Sequence, residues 1–387
     1  MTDRRFPNFL VVAGLLAQPL CAAAQSGGSA LALSREISVG TPDGPPEYAL
    51  GLVDQMAVLP SGGFVLFDLS DTQIRRYDRN GLYVGPVGRS GAGPGEYRQV
   101  LGMAMHGDSL LLVYDPGNAR IAIFDTAGKY RRQVGLRGSA HFGDKEFFVD
   151  ALRRISILYA RGRPTSAGER WATQYVRYRV DGTVIDSILT RNQSFGMAFH
   201  LNTADGMRSS FVDETIFAPL PAGGLATARS TTYRISVEPE GGTKSVIERP
   251  SPQLPIEGKE RDEWEAWARY NASRPDASGI AKIPRTKPPI RDLFVDHLGR
   301  IWVDVYTTAA KQNIPPRPAG DPRPLLTIRE TTTYEIFQPS GAFLGRVVLP
   351  QASVLLAVHG DRVWVKSEVT RGENVLVRYR VTGLPGR

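Results

Sequence analysis

A strand–turn–strand module recurs through residues 52 to 383, and two of its copies can be laid over each other directly. Gly63 to Gly81 (GFVLFDLSDTQIRRYDRNG) and Leu110 to Gly128 (LLLVYDPGNARIAIFDTAG) share an apolar run ending in Asp, a short polar turn, a second apolar run ending in Asp, and a final Gly. A module of this length cannot bury an apolar face alone. Its copies must stack on one another, along a line or around a ring. The 40 glycines and 28 prolines punctuate short runs of Val, Ile, Leu, Phe and Tyr, as expected of an all-β chain. No Ser/Gly linker or charge block divides the 387 residues, so a ring of repeats accounts for both the length and the continuity.

Reading each unit as four antiparallel strands, the turns between third and fourth strands are the clearest markers. They are Asp78-Arg79-Asn80-Gly81, Asp125-Thr126-Ala127-Gly128, Val180-Asp181-Gly182, Glu238 to Gly242, Pro339-Ser340-Gly341 and Val381-Thr382-Gly383. Glycine recurs there because a tight hairpin needs a positive φ, which Gly reaches without steric cost. Six markers imply six blades. Turns between first and second strands repeat independently at Pro60 to Gly63, His106 to Asp108, Asp296 to Gly299 and His359 to Asp361, and AMHGDSLLLV and AVHGDRVWVK are near-duplicates in blades two and six. Blades three and four are more worn, at about 149 to 189 and 211 to 248. Blade six shows only three strands (about 353 to 358, 362 to 367 and 374 to 380), while the run Leu31 to Val39 is a strand with no blade of its own. Pairing the two would close the ring and remove exposed sheet edges. The expected fold is therefore an all-β, six-bladed β-propeller closed by an N-terminal strand, with one inserted helix.

The N-terminus sets the compartment. Arg4 and Arg5 precede an apolar run from Phe9 to Ala17, and Ala22-Ala23-Ala24 stands before Gln25. This is the pattern of a secretory signal peptide over residues 1–24, leaving a domain over 25–387 in the periplasm or outside the cell. The run is shorter than the roughly 20 residues a membrane-spanning helix needs, and no later segment is long and apolar enough. The only cysteine, Cys21, lies within the signal, so the mature domain has no disulfide, thiolate metal site or cysteine nucleophile.

At this point the chain resembles the six-bladed propellers of the NHL-repeat type. The resemblance rests on Val113-Tyr114-Asp115-Pro116-Gly117-Asn118-Ala119-Arg120 followed by Ile121 to Asp125, with Asp71 to Arg75 standing in for the Asn and Arg in blade one. Gly91-Ala92-Gly93-Pro94-Gly95-Glu96-Tyr97 also looks like the G-x-G-P-G-E-F connection of exported bacterial six-bladed propellers of unassigned function. The likeness spans nearly all of 31 to 383, strongest in blades one and two. It implies a fold, and the fold hosts binders, lyases and hydrolases alike.

Strand order makes the two faces unequal. Loops from second to third strand and connections between blades emerge on one face, and the hairpins on the other. The long segments, about 88–99, 136–147, 160–173, 190–211, 251–290 and 307–330, all belong to the first face, and loops of such length are usually functional or disordered. The net charge of +8 suggests a mild preference for anionic partners. Nucleic acid is not expected, since no aromatic-basic recognition motif appears. Residues 257–271 form the one convincing helix, with Trp264, Trp267, Ala268 and Asn271 at i, i+3, i+4 and i+7 and acidic residues at its N-terminal end. Its tryptophans would clamp it onto the propeller; the sharper reading makes it a lid or docking helix over the channel mouth. Pro-rich stretches at 284–289 and 315–324 read as connectors.

Asp68, Asp115 and Asp304 occupy equivalent second-strand positions in blades one, two and five (VLFD, LVYD, IWVD). Carboxylates converging on a propeller axis could hold Ca²⁺, and the NHL-like resemblance implies metal-bearing lyases and lactonases with axial ligands. Alternatively each Asp caps its own loop by accepting backbone N–H bonds, the reading that recurrence at one repeat position favours. His106, His297 and His359 sit in hairpin turns; His141 and His200 lie in long connections without metal spacing. No G-x-S-x-G elbow, P-loop or zinc signature is present. Two functions fit: an exported, non-catalytic and monomeric module presenting its long-loop face to a protein or glycan partner, or a metal-dependent lyase or lactonase-like hydrolase using the three aspartates and a loop histidine.

Overall fold

The computed structural model describes residues 30–41, 44–136, 147–161, 172–190, 211, 213, 215–273, 282–314, 320–370 and 373–384. The expected signal peptide, His141 and His200 lie outside them. The described residues build six four-stranded antiparallel sheets. Blade one is Val53–Val58, Phe64–Asp68, Gln73–Tyr77 and Tyr83–Pro86; blade two is Gly102–His106, Leu110–Asp115, Arg120–Asp125 and Tyr130–Gly135. Blade three is Phe147–Val149, Ile155–Arg161, Ala172–Tyr178 and Val184–Thr190, and blade four is Thr215–Pro219, Gly224–Arg229, Arg234–Pro239 and Ser245–Glu248. Blade five is Ile290–Val295, Ile301–Val305, Thr333–Phe337 and Phe343–Val348. The chain is a six-bladed β-propeller with its first strands innermost: those of blades one, two and three pack side by side, as do those of four and five and those of six and one.

Blade six takes its outer strand from the other end of the chain. Ala32–Val39 pairs antiparallel with Glu373–Thr382, from Ala32 opposite Thr382 to Val39 opposite Leu376. The sixth turn marker, Val381-Thr382-Gly383, is thus no hairpin: Val381 lies inside the third strand, opposite Leu33, because the strand meant to follow it comes from the amino terminus. Just ahead of this strand, the Leu31 amide donates to the Arg346 carbonyl of blade five (2.8 Å). A bulge between Arg35 and Ile37 releases Glu36, whose carboxylate takes Arg362, Arg378 and Arg380 at 2.8–3.0 Å. The first two of these guanidinium groups hold the Glu36 carboxyl below the usual carboxylate range against the opposing pull of partial burial.

The core consists of layers between neighbouring blades. Phe67, Val113, Ala122 and Phe124 lie between blades one and two; Ala226, Ile235, Leu293 and Val303 between four and five; Trp302, Tyr334, Val363 and Val365 between five and six; and Phe64, Leu66, Trp364 and Leu376 between six and one. Alternation along each strand sends apolar residues to both blade faces, which is why whole strands such as Phe64–Asp68 and Ile301–Val305 are buried throughout. The layer between blades three and four is thin, with Leu158, Tyr175 and Phe217. Ions join these blades as well: Glu240 of blade four takes Arg154 (2.9 Å) and Arg177 (2.5 Å) of blade three, and Asp150 takes Arg154 (2.6 Å). Hydrogen bonds from the two arginines hold the Glu240 carboxyl down to about 2. Charged residues in place of a continuous apolar pattern explain why these blades are the hardest to delimit, and they begin at Phe147 and Thr215 rather than 149 and 211.

Turn chemistry follows the sequence closely. Gly81 and Gly128 have φ of +83° and +84°, the left-handed region their hairpins need. The connection into blade two is a compact knot: Glu96 folds back to accept from the Gly93 amide (2.7 Å) and pair with Arg89 (2.7 Å), and the buried Tyr97 hydroxyl accepts from the Ile74 amide (2.8 Å). These bonds make Gly91–Tyr97 a structural joint between blades one and two.

Candidate site at the long-loop mouth of the axial channel

The inner strands are not equivalent. Pairing between first and second strands runs without interruption in blades two, three and four. In blade one the register breaks between Val53 and Gln55, in blade five between Ile290 and Asp292, and in blade six between Leu355 and Ala357. A bulge inserts one residue with no opposite partner and re-aims its side chain. The three extra residues, Asp54, Arg291 and Leu356, belong to three consecutive blades, five, six and one. Asp54 and Arg291 each stand one residue into their strand, at the end entered from the inter-blade connections and so on the long-loop face.

At the blade-five side the groups are tightly paired. Arg291 Nη1 donates to Asp304 (3.2 Å), its Nη2 pairs with Glu330 (3.3 Å), and its guanidinium lies 4.2 Å from the Tyr306 ring centroid. Lys287, with a side chain only 1 % exposed, bridges Glu260 and Glu330 at 2.7 Å each and donates to the Thr307 carbonyl (3.0 Å). Burial pushes the Tyr306 hydroxyl well above the ordinary tyrosine range, and burial raises Glu260 although Lys287 pulls the other way.

These ions fasten the inserted helix, which spans Gly258–Ala272, one residue later than the sequence pattern places it. Glu260 lies in its first turn. Glu263 accepts from the Thr327 amide (2.6 Å), the Ile328 amide (2.9 Å) and the Thr327 hydroxyl (2.5 Å), which ties the helix to the loop between the second and third strands of blade five. Trp264 and Ala268 are buried with Phe211, Ile256, Tyr306 and Leu326, and Trp267 packs partly buried against them. The helix is a clamped cap with its own small core on the long-loop side of blade five.

The aspartates singled out by the repeat serve separate blades. Asp68 accepts from the amides of Gly51 (2.8 Å), Leu52 (2.9 Å) and Ser70 (3.0 Å) and lies 3.4 Å from Arg75. Asp115 accepts from the amides of Arg98 (3.2 Å) and Gln99 (3.0 Å) and from Asn118 (2.6 Å), with Arg120 at 3.6 Å. Each of these two pins the connection entering its own blade, and each of the three has an arginine beside it. Among the described residues, no three His, Cys, Asp or Glu side chains gather closely enough to hold a metal ion.

Blade six carries the departure that the repeat hides. Its second strand reads VWVK where blade five reads IWVD, so Lys366 stands in the place of Asp304. Lys366, 3 % exposed, reaches across the seam to donate from Nζ to the Val53 carbonyl of blade one (2.8 Å), beside Asp54. Asp54 is half-buried, and it accepts one long contact from the neighbouring Gln55 side-chain amide (3.4 Å). Desolvation raises its carboxyl above the ordinary range, with Gln55 and Lys366 opposing the rise. Neither Asp54 nor Lys366 stands out in the linear chain. Aligning VWVK with IWVD exposes the lysine, whereas the bulge at Asp54 has no local signature.

The three described histidines lie at the opposite, hairpin face. His297 and His359 stack at 4.3 Å between the turns of blades five and six, and His106 is held at the Arg153 carbonyl (3.2 Å). Burial lowers the pKa of both His106 and His359, so both are neutral at pH 7.

No family profile and no curated protein matches the chain. Among solved structures it is similar to a protein described as exported from Bacteroides fragilis, at 10 % identity over 91 % of this chain and 95 % of that one, with a TM-score of 0.47. It is also similar to a member of the duf4221 family from Bacteroides vulgatus (11 % identity, 91 % and 98 % covered, TM-score 0.50). A gluconolactonase from Xanthomonas campestris aligns at 12 % identity over 90 % and 99 % of the two chains, with a TM-score of 0.41. At such identities the likeness is one of fold alone. No helix among the described residues is long and apolar enough to cross a membrane.

Proposed function

We propose that the chain is an exported, non-catalytic binding module whose long-loop face receives a protein or glycan partner. The observation that carries this reading is the unequal construction of the two faces. The hairpin face consists of tight turns, while blade five projects a helix with a core of its own and a cage of buried ions on the long-loop side. Ordering so long an insertion costs conformational entropy, and nothing in propeller closure requires it.

Photo-crosslinking in the producing cell tests this. A photoreactive residue at the exposed helix position Arg269 is expected to give a discrete adduct, and one at Asn80, on the hairpin face, none. Equal labelling from both faces, or none from the helix face, would remove the proposal.

The metal-dependent alternative has its own test. With Asp68 and Asp115 already accepting backbone N–H bonds, added Ca²⁺ is expected to leave the melting temperature unchanged. A calcium-induced rise that vanishes in Asp115→Ala would move the function to a lyase or lactonase-like hydrolase.

A further inference from the structure

We infer that the long-loop mouth beside blade one takes a neutral, hydroxyl-rich ligand, the diol of a glycan, with the Asp54 carboxylate accepting from its hydroxyls. This rests on the binding-module reading and names the ligand chemistry and the residue that meets it.

Asp54 differs from the well-satisfied carboxylates of the scaffold. Asp68, Asp115 and Glu263 are filled by backbone amides and side-chain donors; Asp296 receives the amides of Leu298 and Arg300, the Arg300 guanidinium and the Trp302 indole. Asp54 has a single 3.4 Å contact from Gln55, although burial already penalises its charge. A carboxylate can accept from several donors, and Asp54, half-buried, keeps an oxygen without a protein donor that remains open to solvent and to an incoming hydroxyl. Here the fold also spends a β-bulge on placing it, and bulges of this kind collect beside functional sites.

The surroundings select the ligand. Lys366, behind the Asp54 carboxylate at the blade six–one seam, supplies positive potential, so a metal ion or ammonium ligand would meet repulsion that a neutral hydroxyl does not. The Gln55 amide, adjacent to the carboxylate, both donates and accepts, matching a second hydroxyl next to the first. Met56 and Leu356 pack, partly buried, in the apolar layer between blades six and one, two residues after Asp54 in the first strand and at the blade-six bulge.

Titration calorimetry of the full chain with maltotriose, cellotriose, chitotriose and xylotriose tests this. At least one is expected to bind. Asp54→Asn, which keeps the shape and removes the charge, is expected to weaken that binding by about 10- to 100-fold, the equivalent of a charged hydrogen bond. Asp108→Asn, in an exposed hairpin turn of the opposite face, is expected to leave it unchanged. Should Asp54→Asn fail to fold, Gln55→Ala provides the measurement, with a smaller expected loss. Binding unaffected by either site variant overturns the inference, as does Ca²⁺ binding that depends on Asp54. If no trisaccharide binds while the helix face still crosslinks to a protein, the glycan inference falls and the binding-module reading stands.

Discussion

A chain lacking residues 25–40 is expected to lose most of its stability or to associate through blade six. The deletion strips the outer strand from Glu373–Thr382 and leaves a ten-residue edge with unpaired amides and carbonyls, which invites pairing with another copy. It also uncovers Trp364 and Leu376 in the layer beneath. Leu31 and Val39, 7 % and 2 % exposed, together contribute about 3–6 kcal/mol by burial alone. The strand's hydrogen bonds and the three arginines gathered on Glu36 add to this. Thermal unfolding and sedimentation of the truncated protein check the expectation. An undiminished melting temperature in a monomer would show that the amino-terminal strand contributes nothing to holding the ring.

Lys287→Met is expected to destabilise the protein by about 3–5 kcal/mol at neutral pH, the usual cost of removing one partner from a buried ion pair. Methionine fits the volume, so the loss is electrostatic: Glu260 and Glu330 would remain buried without the ammonium between them. The pH dependence separates this from a packing defect. In the native protein Glu260 holds its proton more tightly than the ordinary value of 4.5, so the folded state binds more protons than the unfolded chain. Its contribution is therefore most favourable below about pH 4.5 and declines as pH rises through the raised native value. Removing Lys287 raises that native value further. The deficit of the variant should be small in acid and should widen toward neutrality. Urea unfolding at several pH values reads this directly, and a deficit independent of pH would assign the loss to packing instead. Because the helix docks through Glu260 and Glu263, protection of its amides from exchange should fall before that of the blades.

Some of the chemistry on the long-loop face is legible in the sequence. The repeat places an Asp at the end of the second strand in three blades, and the same recurrence marks these residues as parts of the scaffold. Asp68 and Asp115 are pins because each blade must hold the connection that enters it. The arginines that accompany them come from different strands, Arg75 and Arg120 from third strands and Arg291 from a first strand, so no single spacing reveals them. Asp54 carries no linear signature for a related reason. Its significance lies in a skipped register and in an ammonium contributed from more than 300 residues away, and a linear reading records neither.

The number of blades, the strands of the well-patterned ones, the glycine hairpins and the inserted helix are legible in the linear chain, and a blade short of one strand beside an unassigned amino-terminal strand points to the closure. These depend on local alternation and backbone permissiveness, which act over a few residues and repeat. Where ions join blades three and four, how Lys287 fastens the helix, and which carboxylate is left with donors to find emerge only in the folded ring. Those outcomes arise from desolvation and charge pairing between residues distant in the chain, and they exist only once the ring has brought the partners together.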